Sequence, residues 1–320
     1  MTADRALHCG GAPCKNGRPA VTQLITILKF ALPGAIAIAT LEALFLAVVM
    51  RKNYNWRAYF ASLADALGRE YIVMSFLTIS LAAPIIGFAY RHRLFTIPLD
   101  TPTAVVVLVI GQDFCYYWFH RASHRVRWFW ATHAIHHSSN ELNLAASFRF
   151  GWTGRLTGAG AFYAPLIWLG FPPGPVFIAA GLNLLYQFWI HAEWIPKLGW
   201  LEYVFNTASH HRVHHASNAE YLDRNYGGIF IVFDRLFGTF VSERDDVPCR
   251  YGLVKPLLSN NPFVIGFHGW AALLRDAWRA RSWRERLMCI IGPPDAHPDA
   301  GHAPTPATPP RQIAALEPAE

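Results

Sequence analysis

Histidine is the residue type whose spacing in this chain most clearly indicates chemistry. The segment HRASHRVRWFWATHAIHH spans residues 120–137, and HRVHH follows at residues 211–215. One pair is spaced i, i+4, and two clusters are spaced i, i+3, i+4, which on a helix places the imidazoles on one face. The clustered residues are His120, His124, His133, His136, His137, His211, His214 and His215.

These histidines favour metal binding. A lone histidine on an apolar face is usually an ordinary core residue, but eight histidines in three clusters reverse that expectation. Neutral imidazole is a good ligand for Zn, Cu, Fe and Ni. One zinc ion takes about four ligands, so the set predicts two metal ions. His191, in QFWIHAE, is a ninth candidate ligand.

Two polar residues on the predicted helices are candidate catalytic-site residues. Asp113 lies seven residues before His120, and two helical turns bring it to the ligand face. It either accepts a hydrogen bond from a ligand imidazole or pairs with a nearby arginine. Gln187 lies four residues before His191. Its side chain either hydrogen-bonds a metal-bound water or packs in the core.

A third candidate catalytic-site residue, Asn225, follows the last histidine cluster, together with Asp223 and Asp234. Polar side chains so close to ligands suit hydrogen bonds that orient the imidazoles. Asn225 and Asp223 are almost as well explained as turn residues. Both readings stay open at the level of sequence.

The composition indicates an integral membrane protein. The 320 residues are 53% hydrophobic and only 15% charged, whereas soluble domains carry about 25% charged residues. The net charge of +7 is compatible with nucleic-acid binding, but the basic residues flank apolar segments, as the positive-inside rule predicts for a membrane protein. The five cysteines form no C-x-x-C pair, and no disulfide framework is expected.

The apolar segments predict an all-α membrane bundle of four to five transmembrane or membrane-embedded helices. The first predicted span covers residues 21–50, the second 71–90, and the third begins at residue 103 and runs into His120. Residues 158–190 predict a helical hairpin whose two arms are short for a span. The second and third spans, residues 71–119, predict another hairpin. Because each hairpin returns to its starting side, all histidine clusters are expected at one, cytoplasmic, face.

The chain is predicted to contain one catalytic unit with less ordered ends. Residues 1–20 are expected to be a flexible N-terminus, 21–290 a membrane-embedded catalytic domain with its core at 103–245, and 291–320 a disordered Pro-rich tail. Within the domain, the Arg- and Trp-rich segment 262–290 predicts an amphipathic helix on an anionic leaflet.

The ligand type favours oxidation chemistry. Zinc hydrolysis would need a carboxylate beside the ligands, as in H-E-x-x-H, and the three clusters contain none. Iron suits imidazole and activates dioxygen when open positions remain. The inferred reaction is oxidation of a lipid C–H bond. A metal-binding or metal-transport protein is the alternative, although a transporter would place ligands near the bilayer midplane. A haem protein would need only one or two of the histidines.

The chain resembles the fatty acid hydroxylase and sterol desaturase superfamily of membrane di-iron oxygenases, and within it the alkylglycerol monooxygenase group and its bacterial members. The similar segments are DFCYYWFHRASH, WFWATHAIHHSSNELNLAASFR, QFWIHAE and NTASHHRVHHASNAEYLDRNYGGIFIVFDRLFGTF. The resemblance implies a helical bundle with a cytoplasmic catalytic region, in which the eight clustered histidines and His191 bind two iron ions.

One position departs from the family pattern, and this affects the predicted substrate. Relatives often have Glu directly after the second histidine, where this chain has Arg125. The resemblance therefore leaves sterols, fatty acyl chains, alkylglycerols and aminolipids open as substrates, and does not separate hydroxylation from desaturation.

The electrons for oxygen activation are expected from outside the chain. The sequence contains no dinucleotide-binding G-x-G-x-x-G, no C-x-x-C-H for haem and no iron–sulfur cysteine set. The predicted cofactors are thus two iron ions, with O2 as co-substrate and an external electron-transfer protein as partner. The expected location is a bacterial inner membrane.

Overall fold

The computed structural model describes the backbone of residues 18–73 and 80–295, and side chains within residues 30–71 and 80–295. This part of the chain is helical and forms no strand; two isolated antiparallel bridges join Phe205 to Phe230 and Ala216 to Tyr251. The predicted all-α class is therefore confirmed for the described residues.

The described residues form eleven α-helices, connected by shorter 3-10 segments. In chain order the α-helices are α1 (Arg18–Leu44), α2 (Trp56–Leu67), α3 (Ala83–Arg91), α4 (Pro102–Arg125), α5 (Arg127–His136), α6 (Ala164–Leu169), α7 (Pro173–Trp189), α8 (Ala208–His215), α9 (Val232–Leu236), α10 (Pro262–Arg279) and α11 (Trp283–Ile291). The 3-10 helices are Leu144–Phe148, Gly154–Thr157, Ala159–Tyr163 and Gly199–Tyr203, and π-helical turns extend α1 over Phe45–Val49 and α2 over Gly68–Val73.

Two helical segments in the described part of the chain are long and apolar enough to cross a bilayer. They are Phe30–Val49 and Pro102–Arg125. The predicted second span, residues 71–90, includes residues 74–79, which lie outside the described residues. The second half of this span forms α3. The predicted four to five embedded helices and their orientation stay predictions.

The predicted hairpin at residues 158–190 is present as a helical hairpin. Its first arm is the 3-10 helix Ala159–Tyr163 followed by the short α6, and its second arm is α7. Ile167 and Val176, one from each arm, are fully buried in an apolar cluster that also contains Leu108 of α4. This cluster fixes α7, and thus His191 at its C-terminal end, beside α4.

The junction of α4 and α5 directs the first two histidine clusters to one place. Pro102 begins α4, and the Thr101 hydroxyl caps it by accepting a hydrogen bond from the Ala104 N–H. The helix ends where Val126 becomes extended, with φ −120° and ψ 117°, and α5 begins at the next residue. The chain therefore turns within one residue.

Helix α10 covers the outer side of α5. Gly269 lies so close to α5 that a Cβ atom there would stand 2.5 Å from the carbonyl oxygen of Ala131. Arg127 forms a buried ion pair with Asp276. The segment predicted as one amphipathic membrane-surface helix is thus two helices, of which α10 packs on the histidine-bearing α5. Its role at a membrane surface stays a prediction.

The ends of the predicted domain map are described only in part. Residues 1–17 of the predicted flexible N-terminus lie outside the described residues, and α1 begins at Arg18. Residues 296–320 of the predicted tail also lie outside them.

Candidate metal centre

The nine candidate ligands come together in two groups of side chains. Within each group the ligating nitrogens lie within 4.8 Å of one another. All the rings are buried except that of His133, which is half-buried. The five-histidine group consists of His120, His124, His133, His137 and His214, and the four-histidine group consists of His136, His191, His211 and His215.

The helical geometry explains how each cluster is divided. In α5, His133 and His137 belong to the five-histidine group and His136 to the other; in α8 the middle histidine, His214, joins the five-histidine group. Neighbouring residues on a helix point about 100° apart, while residues i and i+4 nearly superimpose. Both α5 and α8 therefore contribute to both groups. The ring of His137, from the five-histidine group, stacks on that of His215, from the four-histidine group, with their centres 4.4 Å apart.

Backbone carbonyl groups fix the orientation of four imidazoles. In each case Nδ1 faces a carbonyl oxygen, so Nδ1 carries the proton and Nε2 keeps its lone pair for a metal. The acceptors are Tyr226 for His120 at 2.8 Å, Arg224 for His214 at 2.9 Å, Gln187 for His191 at 2.8 Å, and Arg149 for His136 at 3.2 Å.

The inward-facing nitrogens fit a metal ion. Nε2 atoms approach at 2.9 Å between His120 and His133 and at 3.1 Å between His211 and His191. Two nitrogens that bind one ion at ~2.1 Å lie about 3.0–3.4 Å apart. The buried Nε2 of His214 has no hydrogen-bond partner among the described residues. A metal cation would stabilise these buried, converging lone pairs.

Burial keeps the imidazoles neutral. It lowers the pKa of His214 from 6.5 to about 4. The pKa of His136 is also well below its ordinary value, through burial first and then through the neighbouring His191. Neutral imidazole is the form that binds metals, so the ligands need not lose protons at neutral pH.

The metal-free protein is expected to lose stability as the pH falls from 7 to 5. Because the folded-state pKa of His214 is depressed from 6.5 to about 4, the unfolded chain binds the extra proton within this window. This contribution to the unfolding free energy is fully present above the pKa of histidine in the unfolded chain. Below that pH, each such histidine lowers the unfolding free energy by up to about 1.4 kcal/mol per pH unit. Denaturant unfolding of chelator-treated protein at pH 7, 6 and 5 measures this.

A variant with one fewer titrating ring provides the matched control for this pH dependence. His214→Gln should show a shallower decline of the unfolding free energy with falling pH than the unchanged chain. Equal slopes for the two proteins, or a flat profile for both, would contradict the neutral, buried state of these imidazoles.

Comparison with known proteins identifies the segment that holds the histidines. Residues 105–239 match the family model for fatty acid hydroxylases, and this range includes all nine histidines. We call residues 105–239 the hydroxylase domain, after the family model that they match. The resemblance inferred from the histidine motifs is therefore confirmed.

The relatives of the hydroxylase domain act on lipids, as their names state. The chain is 40% identical over 204 residues to the alkylglycerol monooxygenase of Homo sapiens, which covers 64% of this chain and 45% of that protein. The Xenopus tropicalis enzyme is 39% identical over 211 residues, with the same coverage. An ornithine lipid hydroxylase of Rhizobium tropici is 31% identical over 137 residues, 42% of this chain and 41% of the relative.

The match is limited in extent. The chain spans less than half the length of these curated relatives. No solved structure matches it significantly. The relatives therefore show what this chain is similar to, and the activity of the whole chain is a matter for proposal.

One carboxylate of the hydroxylase domain faces a candidate ligand directly. Asp223 Oδ1 lies 3.4 Å from Nδ1 of His124, and its Oδ2 lies 3.4 Å from Arg125. Asp223 also has a positive φ of 59°, which fits its predicted turn role, and its contact with His124 is compatible with the predicted orienting role, which stays a prediction. Arg125, the position that departs from the family pattern, is 57% exposed and helps to hold this carboxylate.

Asp113 does not contact an imidazole, nor does it pair with an arginine, so neither predicted interaction is formed. Its Oδ1 accepts hydrogen bonds from the Ile229 N–H at 2.8 Å and the Asn183 side chain at 2.6 Å. Its Oδ2 accepts from the Phe230 N–H at 2.9 Å. The two helical turns between Asp113 and His120 place Asp113 on the buried side of α4, but a loop lies between its carboxylate and the imidazoles.

This loop, residues 226–230, connects Asp113 with the five-histidine group. Its other end is held by Asp234, which accepts hydrogen bonds from the N–H groups of Tyr226 and Gly227, both at 2.7 Å. Burial raises the pKa of Asp234 to about 6 despite these hydrogen bonds. The Tyr226 carbonyl in turn accepts from His120. Both aspartates therefore act on His120 through the loop.

Gln187 packs in the core and Asn225 forms a turn, which is one of the two roles predicted for each; a contact between Gln187 and a metal-bound water stays a prediction. Gln187 is the partner of His191, but through its backbone carbonyl; its side chain accepts from the Tyr116 hydroxyl at 2.9 Å and donates to Asn183 at 2.6 Å. Asn225 does not reach an imidazole side chain. It has a φ of 55° and exchanges hydrogen bonds with the backbone of Val241, which is the turn role.

A cavity of about 480 Å³ adjoins both histidine groups. His133 of the five-histidine group and His136 and His191 of the four-histidine group lie in its wall. The rest of the wall is mainly apolar and aromatic, with contributions from α1, α4, α5 and α7. Such a cavity excludes water and can hold an apolar chain beside the histidines.

Two residues beside the histidine groups were missed in the sequence. Asn183 is fully buried on α7 and joins Asp113 to Gln187. Tyr116 is buried on α4, lines the cavity and lies with its ring centre 5.3 Å from that of His120. Asn183 had a detectable signal, since a polar residue one turn before Gln187 in an apolar helix invites explanation. Tyr116 stands among many aromatic residues and had no such signal.

Proposed function

We propose that the chain is an O2-dependent di-iron oxygenase that oxidises a C–H bond of a membrane lipid. The observation that carries this proposal is the contact between two convergent imidazole groups and one largely apolar cavity. The names of the relatives, alkylglycerol monooxygenase and ornithine lipid hydroxylase, support a lipid substrate. The proposed product is a hydroxylated or desaturated lipid.

The donor set supports iron over a hydrolytic metal. Both groups consist of histidine alone within the described residues. The carboxylate facing a ligand, Asp223, is directed at the Nδ1 side of His124 and not at the cavity. A metallohydrolase needs a carboxylate beside the metal-bound water. Iron held by imidazoles, with open positions, would supply the activation of dioxygen.

The protein's own residues provide positioning and shielding. The nine imidazoles, of which His120, His136, His191 and His214 are oriented by carbonyl groups, are proposed as the metal ligands. Asp113 and Asp234 are proposed as positioning residues that act through the loop at residues 226–230. The apolar cavity orients the lipid chain and excludes water from the reacting carbon.

The electrons and the membrane location belong to the same proposal. An external electron-transfer protein would deliver electrons at the exposed side of the five-histidine group, where Arg125 is 57% exposed. A basic residue there favours an acidic partner. We further propose that the histidine groups face the cytoplasm in a bacterial inner membrane.

Metal and lipid analysis together test the proposed function. Protein purified without oxygen should contain about two iron ions per chain and no haem absorption. Lipids of cells that express the chain should gain species with one added oxygen atom or two fewer hydrogen atoms. One tightly held zinc ion without iron, and an unchanged lipid profile, would overturn the proposal.

Filling the cavity should reduce lipid oxidation without affecting the metals. Leu185→Trp introduces a larger side chain into the wall of the cavity. We expect kcat/KM for a lipid substrate to fall at least about ten-fold, which corresponds to about 1.4 kcal/mol, with the iron content unchanged. Iron analysis and turnover assays on the same preparation measure both quantities.

Leu258→Trp is the matched control for this substitution, since Leu258 is 90% exposed and remote from the cavity wall. It should keep the kcat/KM of the unchanged chain. If Leu185→Trp turned over lipid as fast as Leu258→Trp, the cavity would not be the substrate site.

A further inference from the structure

The cavity beside the histidines has a positively charged wall segment. Among the described residues that line it, Arg69 and Arg155 are the arginines, and there is no aspartate or glutamate. The histidines in the same wall are His133, His136 and His191. The two arginines therefore place guanidinium groups in the same cavity wall as the histidines.

Arg69 lies over one aromatic ring of the cavity wall. Its guanidinium carbon lies 5.4 Å from the centre of the Phe150 ring. A Cβ atom on the preceding residue, Gly68, would stand 3.1 Å from the indole of Trp152, which shows how closely this turn packs. The Nε atom is buried and has no hydrogen-bond partner in the described part of the chain.

Asp65, one helical turn before Arg69, does not hydrogen-bond this guanidinium, although its own buried Oδ1 also has no hydrogen-bond partner in the described residues. Its Oδ2 is occupied by the N–H groups of Phe150 and Gly151, at 2.9 and 3.0 Å. Asp65 and Arg69 attract each other, but no ion pair within 4.0 Å joins them in the described residues. A buried donor of a charged group is costly unless an acceptor satisfies it.

Arg155 lines the same cavity from the 3-10 helix Gly154–Thr157. Trp152, three residues earlier in the same loop, packs on Gly68, next to Arg69. The Trp152 indole also donates to the backbone carbonyl of Asp65 at 3.1 Å. The loop that carries Arg155 is thus fixed to the turn that carries Arg69.

We propose that this cavity binds a lipid with an anionic head group, a phosphate or a carboxylate, at Arg69 and Arg155. The apolar chain of the lipid extends along the aromatic wall towards His133, His136 and His191. This inference rests on the proposed function and adds the class of its substrate. Guanidinium groups bind phosphate and carboxylate through paired, charge-assisted hydrogen bonds, which are stronger than the hydrogen bonds that a neutral head group can form.

Binding of matched lipids to the purified full chain tests the proposal. Dioleoyl phosphatidic acid and dioleoylglycerol differ only in the phosphate, and oleate and oleyl alcohol differ in the carboxylate. The change in tryptophan fluorescence, to which Trp152 in the cavity wall contributes, reports binding in detergent. We expect at least one anionic lipid to bind about ten-fold or more tightly than its neutral partner. The pair that shows the preference identifies phosphate or carboxylate.

Single substitutions assign this preference to the two arginines. Arg69→Gln and Arg155→Gln should each reduce the anionic preference several-fold and leave the affinity for the neutral lipid unchanged. Arg250→Gln removes an equal charge from an exposed surface position outside the cavity and should keep the preference. Arg69→Lys, which retains the charge, should keep part of it.

Equal affinity for anionic and neutral lipids in the unchanged chain would overturn the proposal, as would an undiminished preference in both glutamine variants. If Arg69→Gln does not fold, the comparison in the unchanged chain and in Arg155→Gln still decides. Binding needs neither metal nor turnover, so its outcome is separate from that of the oxygenase. An anionic preference without any oxidised product would overturn the proposed function alone.

Discussion

His214→Ala is expected to abolish lipid oxidation, with a loss of more than about 100-fold, and to leave about one metal ion per chain or fewer. His214 lies on α8, yet it belongs to the five-histidine group with α4 and α5 residues. Its Nδ1 is fixed by the carbonyl of Arg224, and its buried Nε2 has no hydrogen-bond partner in the described residues. Alanine removes the α8 ligand from this group. Metal analysis and lipid turnover measure the effect.

The matched variants for this prediction are His136→Ala and His268→Ala. His136→Ala removes a ligand from the four-histidine group and should be equally inactive. His268 is a half-buried histidine on α10 outside both groups, so its alanine variant should retain metal and activity. Normal turnover in His214→Ala or His136→Ala would contradict the proposed ligands.

Asp113→Asn is expected to lower the metal affinity about 10- to 100-fold, although Asp113 touches no imidazole. The carboxylate accepts from the N–H groups of Ile229 and Phe230 and from Asn183. An amide must direct its own NH2 group at one of these donors, and losing one charge-assisted hydrogen bond costs about 1.5–3 kcal/mol. The loop that holds His120 then loosens. Chelator competition measures the metal affinity directly.

A comparison of aspartate variants separates this positioning role from a general loss of charge. Asp234→Asn should have the same effect as Asp113→Asn, because Asp234 holds the other end of the loop. Asp100→Asn changes an exposed aspartate before α4 and should retain full metal affinity. If Asp113→Asn bound metal as tightly as Asp100→Asn, the loop would not control the position of His120.

Part of the site was predictable from local sequence. The spacing of His120 and His124, or of His133 and His137, fixes the rings on one helical face, because helical geometry depends on few neighbouring residues. Composition and apolar runs likewise predicted a helical chain, and the described residues contain the helices. The family followed from the same histidine motifs and is confirmed by the match at residues 105–239.

Assignments that depended on contacts between distant segments were less successful. Asp113 and Asn225 lie near the histidines in sequence, but a loop or a backbone turn takes their hydrogen bonds. Asp223, which faces His124, was one of several polar candidates. Sequence distance to a ligand does not determine a hydrogen bond, since loop conformation decides which donor reaches the carboxylate.

The sequence by itself determined that the i, i+4 pairs share a helical face, because a helix repeats every 3.6 residues whatever surrounds it. It predicted the same face for His136 and His214, and this was wrong, because each lies in a different group from its neighbours. Only the tertiary structure decided that α5 and α8 each face both groups, since this depends on how α4, α5, α7 and α8 pack. The cavity with Arg69 and Arg155 arises in the same way. Its wall comes from segments far apart in the chain, and a space between them exists only after they pack.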